Sequence, residues 1–181
     1  MNKAIFIDKD GTLIHDLPFN VNPALIELEP YALESLGILQ QQGYYIVVVS
    51  NQPGVARGLF KEEALKKVEK KIRHILSANN ISLTGFYYCP HSEDAGCRCR
   101  KPKPGLLFKA ASDLQIDLSK SWMIGDILND VEAGKRSGCK TILIDNGNET
   151  EWQYSSLRFP NYMANHMKEA ADIILLQPQP E

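Results

Sequence analysis

Residues 4–13 read Ala-Ile-Phe-Ile-Asp-Lys-Asp-Gly-Thr-Leu, an apolar run that turns abruptly into two carboxylates. Consecutive apolar residues, rather than alternate ones, are typical of a strand buried on both faces of a parallel sheet. Gly11 permits the tight turn that lets Asp8 and Asp10 face one point beyond the strand end. An isolated Asp-x-Asp would indicate no more than a polar turn. The complete string Asp-x-Asp-Gly-Thr at a strand end indicates a functional site.

The rest of the chain repeats this alternation of buried strand and helix. Further short apolar runs predict strands at residues 44–49, 85–88, 122–124 and 141–144. Helical patterns lie at residues 30–42, 61–78, 104–114 and 129–137. The β-α-β order predicts one α/β domain over residues 1–176, built on an open, doubly wound parallel sheet. Residues 177–181 are expected to form a loose C-terminal tail.

Composition narrows the possible partners. The 181 residues are 44% hydrophobic and 23% charged, with a formal net charge of −2. These values are ordinary for a globular domain, and the absence of a basic excess gives no reason to expect nucleic-acid binding. No apolar run approaches the roughly 20 residues needed to span a bilayer, and the N-terminus has no signal-peptide pattern. We therefore expect a cytoplasmic monomer that binds a small molecule and neither nucleic acid nor membranes.

Polar clusters also follow the next three predicted strands, where an open α/β sheet binds its ligands. Ser50, with Asn51 and Gln52, follows the second strand, and Lys101 lies in a basic turn after the third. Asp126 ends the fourth strand, and Asp130 lies one turn into the helix behind it. Each cluster alone has an ordinary structural explanation, such as a turn, a solvated basic segment or a helix N-terminal carboxylate.

Taken together, the clusters predict a site for phosphoryl transfer. Asp8, Asp10 and Asp126 offer the oxygen ligands that Mg²⁺ prefers, and a carboxylate at the mouth of a buried sheet needs a cation. Ser50 and Lys101 can neutralise the remaining phosphoryl oxygens. Because phosphoryl transfer depends mainly on positioning and charge stabilisation, such a set of groups suits it.

A second metal site is predicted in the loop after the third strand. Cys89, His91, Cys97 and Cys99 have the spacing C-x-H-x5-C-x-C. Three thiolates and an imidazole complete a tetrahedral Zn²⁺ site with no open position, which indicates a structural ion. This zinc loop, residues 89–99, would hold the adjoining basic segment in place. Cys139 is expected to be a core residue.

The four clusters, in this order, resemble the four motifs of the haloacid dehalogenase superfamily of phosphatases, over residues 4–144. The resemblance implies a nucleophilic Asp8 that forms an aspartyl-phosphate and an Asp10 that acts as general acid and base. It also implies that Ser50 and Lys101 stabilise the phosphoryl group. Mg²⁺ would be bound by Asp8, the backbone carbonyl of Asp10, and Asp126, with Asp130 behind this set. Only 16 residues separate Leu13 from Pro30, too few for a folded cap domain.

Within the superfamily, the zinc loop resembles that of the D-glycero-D-manno-heptose 1,7-bisphosphate phosphatases and of the histidinol-phosphate phosphatase domains. The run Asn-Gln-Pro-Gly-Val-Ala-Arg-Gly at residues 51–58 is more similar to the heptose enzymes. The resemblance implies hydrolysis of the phosphate on the seventh carbon of the heptose, in the synthesis of lipopolysaccharide or surface glycans. Extra positive charge suits a second phosphate, because guanidinium groups bind phosphate well. The residues expected to bind substrate are Asn51, Gln52, Arg57, Arg100 and Lys103.

Three alternatives stay open at this point. The segment between His91 and Cys97 has five residues, a length closer to the histidinol type, so a histidinol-phosphate phosphatase is the first alternative. A polynucleotide 3′-phosphatase is disfavoured by the near-neutral charge. A non-catalytic, zinc-stabilised binding domain is disfavoured by the complete acidic set. The residues leave the preferred anomer of a heptose substrate undecided.

Overall fold

A computed structural model describes residues 1–177, and its centre is a single parallel sheet of six strands in the order β3-β2-β1-β4-β5-β6. The strands are β1 (Lys3–Ile7), β2 (Tyr44–Asn51), β3 (Leu83–Cys89), β4 (Trp122–Gly125), β5 (Lys140–Ile144) and β6 (Tyr162–Ala164). The predicted parallel α/β architecture is confirmed. Beyond Gln177, the predicted tail lies outside the described residues.

Within residues 1–177, five α-helices connect and cover these strands. They are α1 (Ala32–Gln41), α2 (Glu62–Ser77), α3 (Gly105–Leu114), α4 (Leu128–Ser137) and α5 (Met167–Leu176). The first five strands and four helices lie where the sequence predicts them, and no end is shifted by more than two residues. The pair β6 and α5 was not predicted, because a three-residue strand is too short to produce a recognisable apolar run. Among residues 1–177, no helix has both the length and the apolar composition needed to cross a bilayer.

Each face of the sheet has its own hydrophobic core. Alternate strand residues such as Ile5, Ile46 and Ile124 point to the face covered by α1, α2 and α5. Their neighbours, such as Phe6 and Met123, point to the face covered by α3 and α4. Burial on both faces explains why these strands are apolar at consecutive positions.

The strand order places the carboxyl ends of β1 and β4 side by side at the centre of the sheet. β1 pairs with β2 on one side and with β4 on the other. Connections leaving β1 and β4 therefore diverge, and the crevice between them is where open α/β sheets bind ligands. Residues 14–30 run over this edge as a loop with one short 3-10 turn at Pro23–Leu25.

Candidate active site

Three carboxylates meet in the crevice between β1 and β4. Asp8 follows β1, Asp126 follows β4, and Asp130 lies in the first turn of α4, with one oxygen of each within 4.8 Å of the others. All three residues are buried. The close approach requires Gly125, since a Cβ atom there would lie 2.3 Å from the carboxylate of Asp130. The sequence predicts that Asp126 and Asp130 approach one point and that Asp8 and Asp126 share a metal ion, and the structure brings these three residues together.

The electrostatics of this acidic cluster favour binding of a cation. Burial raises the pKa of Asp8 well above its usual value, and the carboxylates of Asp130 and Asp126 add to that rise against the opposing ammonium of Lys101. Burial and the nearby Asp130 also raise the pKa of Asp126, to about 6. Grouped carboxylates that resist ionisation are stabilised by a divalent ion, and an all-oxygen donor set suits Mg²⁺. The residues present therefore fit this ion.

Lys101 provides the positive charge already built into the cluster. Its ammonium lies 2.5 Å from Asp8 Oδ1 and 2.7 Å from Asp130 Oδ1, and it donates a 2.9 Å hydrogen bond to the carbonyl of Val49. Burial lowers the pKa of Lys101, but the carboxylates of Asp130 and Asp8 more than reverse this, so the pKa is raised and the side chain stays charged. A fixed cation beside Asp8 is well placed to meet a phosphoryl oxygen.

Asp126 is held in place by two neutral donors. Thr12 Oγ1 donates to Asp126 Oδ1 at 3.1 Å, and Asn148 Nδ2 donates to Asp126 Oδ2 at 2.7 Å. Asn148 lies in the loop after β5, which the sequence analysis assigned no part in the site. The loop at the carboxyl end of β5 therefore also contributes a residue to the site. Because β5 lies beside β4 in the sheet, the strand order alone predicts that this loop lies near Asp126.

The carboxylate of Asp10 lies outside the group of three carboxylates but lines the same cavity as Asp8. Its Oδ1 accepts a 2.6 Å hydrogen bond from Lys9, and its Oδ2 accepts one of 3.0 Å from Gln52. Gln52 Nε2 also lies 2.8 Å from Ser50 Oγ, so one amide links the ends of β1 and β2. Lys9 is 1% exposed, and its part in the site was not predicted because a lysine in a polar turn gives no pattern.

Asn51 ties the end of β2 to the segment that carries Lys101. Its Nδ2 donates to the Lys101 carbonyl and its Oδ1 accepts from the Lys101 amide, both at 3.0 Å. A two-bond link of this kind fixes the backbone of the lysine. Asn51, which the sequence predicts as a substrate-binding residue, therefore holds the backbone of Lys101 in place.

Two adjoining cavities open above these residues. One, of about 240 Å³, is lined by Asp8, Asp10, Lys101, Asp126 and Asn148, among others. The other, of about 230 Å³, lies between Asp10, Gln52 and the aromatic ring of Phe19. Asp10, Asp16 and Asn51 line both cavities. The acidic cluster therefore lies at the floor of an open, two-lobed cleft.

The four predicted zinc ligands lie together at the end of β3. One donor atom of each lies within 4.8 Å of the others, and the Sγ atoms of Cys89 and Cys99 are 2.9 Å apart. All three cysteines are free thiols. Burial acts to raise the pKa of Cys97, but hydrogen bonds from the Arg100 backbone and from neighbouring thiols lower it to about 6. Burial raises the pKa of Cys89 and of Cys99. Three sulfur atoms and one imidazole nitrogen this close together form a tetrahedral donor set, which fits Zn²⁺.

The remaining predicted basic residues lie around the rim of the cleft. Glu93 accepts from Arg100 Nη2 at 2.6 Å and from Arg57 Nη2 at 3.2 Å, which joins the β2 end to the zinc loop. Arg100 Nη1 is buried, and no described residue offers it a hydrogen-bond acceptor. Lys103 instead donates to the carbonyl of Cys97 at 2.6 Å. Arg57, Arg100 and Lys103 lie outside the lining of the two cavities.

Known proteins match both the sequence and this geometry. A family model described as HAD-hydrolase-like matches residues 98–170. A D-glycero-beta-D-manno-heptose-1,7-bisphosphate 7-phosphatase of Pasteurella multocida is 40% identical over 154 residues, covering 81% of this chain and 84% of that protein. The chain belongs to the heptose-bisphosphate phosphatase family.

Other members of the heptose-bisphosphate phosphatase family match over nearly the whole chain. A protein of the same name from Salmonella typhi is 34% identical over 170 residues, covering 85% of this chain and 90% of that protein. The crystal structure of D,D-heptose 1,7-bisphosphate phosphatase from B. bronchiseptica, complexed with magnesium and phosphate, superposes with a TM-score of 0.81 and 28% identity. This superposition covers 96% of this chain and 98% of the B. bronchiseptica chain. The resemblance to haloacid dehalogenase phosphatases is confirmed.

Proposed function

We propose that this protein is a Mg²⁺-dependent phosphatase that removes the seventh-carbon phosphate of D-glycero-D-manno-heptose 1,7-bisphosphate and leaves the anomeric phosphate in place. The observation that carries the proposal is Asp8, buried beside a charged lysine and two further carboxylates at the floor of an open cleft. The names of relatives at 40% and 34% identity support the substrate, and both specify the β anomer.

Asp8 is the proposed nucleophile of the first step. Its carboxylate oxygen bonds to phosphorus while the bond between phosphorus and the seventh-carbon oxygen breaks, which gives an aspartyl-phosphate and an alkoxide. Asp10 donates the proton that the alkoxide takes up. Lys9 and Gln52 hold Asp10 from two sides and leave its side chain 30% exposed, within reach of the leaving group. Division of one hydrolysis into two substitutions is the benefit of covalent catalysis.

In the second step, Asp10 accepts a proton from water, and the resulting hydroxide attacks the phosphorus of the aspartyl-phosphate. The bond from phosphorus to Asp8 breaks, phosphate leaves, and Asp8 is restored. Lys101 and Ser50 are the proposed partners of the phosphoryl oxygens. A general acid and base must lie within hydrogen-bond reach of the proton it moves, and the cleft that Asp10 shares with Asp8 supports this role.

Two metal ions are part of the proposal. Asp8, Asp126 and the Asp10 backbone carbonyl would hold Mg²⁺, with Asp130 beside them. When bound, Mg²⁺ lowers the repulsion between an anionic nucleophile and an anionic phosphate. Cys89, His91, Cys97 and Cys99 would hold a structural Zn²⁺. We further propose that the enzyme acts as a cytoplasmic monomer.

Phosphate release from a substrate panel tests this function. The panel contains the α and β anomers of the heptose bisphosphate, histidinol phosphate and a 3′-phosphorylated oligonucleotide, each measured with and without Mg²⁺. We expect the highest kcat/KM for the β-anomeric bisphosphate and no turnover without Mg²⁺. A higher kcat/KM for histidinol phosphate would transfer the function to the first alternative. If none of these substrates released phosphate, the result would favour a non-catalytic binding domain.

A further inference from the structure

We infer that Asn148 is a positioning residue that fixes the carboxylate of Asp126 for the divalent cation. This inference rests on the proposed function, since it concerns the same magnesium site. The primary observation is the 2.7 Å hydrogen bond from Asn148 Nδ2 to Asp126 Oδ2. Asn148 also lines the cavity in which Asp8 and Lys101 lie, so its amide stands at the site itself.

The hydrogen bonds to Asp126 define the plane of its carboxylate. Oδ1 accepts from the Thr12 side chain and Oδ2 accepts from the Asn148 side chain, so each oxygen has a side-chain donor. A carboxylate oxygen has two lone pairs, and one on each oxygen stays available for a cation. With a donor at only one oxygen, the carboxylate could rotate about its Cβ–Cγ bond. The pair of donors therefore orients the ligand before the ion arrives.

The neutral charge of the Asn148 amide matters as much as its position. Asp126 lies in a group of three carboxylates, and the ammonium of Lys101 already lies beside this group. A second ammonium at position 148 would neutralise the charge that attracts a cation, and a carboxylate there would repel Asp126. An amide donates to the oxygen without changing the charge of the cluster.

The loop that carries Asn148 is anchored to the site at further points. Asn146 Nδ2 donates to the carbonyl of Gly11 at 2.7 Å, and Asn146 Oδ1 accepts from the backbone N–H of Asn148 at 3.2 Å. One residue further on, Glu149 Oε2 accepts from the backbone amide of Leu128 at 2.7 Å, at the start of α4. These bonds attach the loop to the turns after β1 and β4.

Gly11 provides the space in which Asn148 meets Asp126. A Cβ atom at position 11 would lie 2.3 Å from Asp126 Oδ2 and 2.5 Å from Asn148 Nδ2. The φ angle of Gly11 is +80°, which side-chain-bearing residues rarely adopt. The glycine of the Asp-x-Asp-Gly-Thr turn thus has a second structural role besides the turn itself.

Mg²⁺ titration of Asn148→Ala by calorimetry, without substrate, tests the inference. Loss of a group that orients a metal ligand typically weakens metal binding about 10- to 100-fold. We expect about a tenfold rise in Kd for Mg²⁺ and an unchanged zinc content. Asn79→Ala is the matched control, because it removes a 2.9 Å asparagine hydrogen bond on the surface at the end of α2.

Two further variants separate this inference from the proposed function. Asp126→Asn should abolish Mg²⁺ binding, and addition of Asn148→Ala to it should have no further effect. Unchanged Mg²⁺ binding in Asp126→Asn would contradict the magnesium site of the proposed function. If Asp126→Asn lost Mg²⁺ while Asn148→Ala bound it as tightly as wild type, only the positioning role would be overturned. A rise in KM for substrate at unchanged Mg²⁺ affinity would also overturn it, in favour of a substrate contact.

Discussion

The floor and the rim of the cleft are built in opposite ways. The floor consists of Asp8, Lys101, Asp126 and Asp130, all buried and held by contacts that reach across several strand ends. The rim consists of Arg57, Glu93 and Arg100, in which Glu93 forms an ion pair with each arginine. Lys101 is 3% exposed, whereas Glu93 is 57% exposed.

We propose that the two regions meet different parts of the substrate. Preformed charges in a buried site stabilise a transition state without reorganising, which suits the floor to the reacting phosphate. Exposed ion pairs contribute little stability and exchange partners readily, which suits the rim to a part of the substrate that arrives and leaves unchanged. Variants at the floor should therefore affect the reaction itself, and variants at the rim should affect the choice of substrate.

Asp8→Asn should give the largest effect, with phosphatase activity below about a thousandth of wild type, because the covalent step is lost. Lys101 keeps its ion pair with Asp130, so we expect the folded structure to remain. Steady-state phosphate release measures the loss, and circular dichroism with zinc analysis checks the fold. Activity above that level would contradict the role of Asp8 as nucleophile.

Cys97→Ser should remove zinc and reduce activity about 100-fold, because the zinc loop leads directly into the segment that carries Arg100 and Lys101. Elemental analysis of protein purified without added metal measures the zinc. Cys139→Ser is the matched control, since Cys139 is buried away from the zinc ligands and should leave the zinc content unchanged. Full zinc occupancy in Cys97→Ser would show that the cluster is not the binding site.

Arg100→Ala should reduce kcat/KM for the heptose bisphosphate about 10- to 100-fold, because a charge-assisted hydrogen bond contributes roughly 1.5–3 kcal/mol. The same variant should change kcat/KM for a heptose 7-monophosphate by less than about threefold. Arg98→Ala, an exposed arginine of the same loop, is the control. Equal losses on both substrates would remove Arg100 from recognition of the second phosphate.

Glu93→Gln should give the smallest effect, and it should raise kcat/KM for the bisphosphate rather than lower it. Glu93 forms ion pairs with both Arg57 and Arg100, so a second phosphate that binds these arginines has to displace it. Because exposed ion pairs contribute about 0–1 kcal/mol, we expect kcat/KM for the bisphosphate to rise about two- to threefold. Asp94→Asn makes the same charge change at the next residue and should have no effect. A decrease in Glu93→Gln would indicate that the carboxylate supports the arginines.

The sequence predicts the floor better than the rim for a physical reason. Asp8 and Asp126 follow apolar strands, and parallel strands bring their carboxyl ends to one edge, so their proximity follows from topology. The zinc ligands are close in the chain, and their spacing alone predicts a cluster. Glu93, Lys9 and Asn148 gave no such signal, because their contacts depend on loop paths and side-chain rotamers. The sequence predicts Arg57 as a substrate-binding residue, but it gives no sign that Arg57 pairs with Glu93 on another loop.

The order of the strands also has a consequence for how the enzyme is made. β1 is synthesised well before its partner β4 (Trp122–Gly125), since their pairing joins Ile5 to Trp122. Contacts so distant in sequence form late, since a long loop must close before they give any stability. On the ribosome, Asp8 therefore has neither Lys101 nor Asp126 beside it until the segments that carry them have emerged. We expect catalytic competence to arise in one late step of folding.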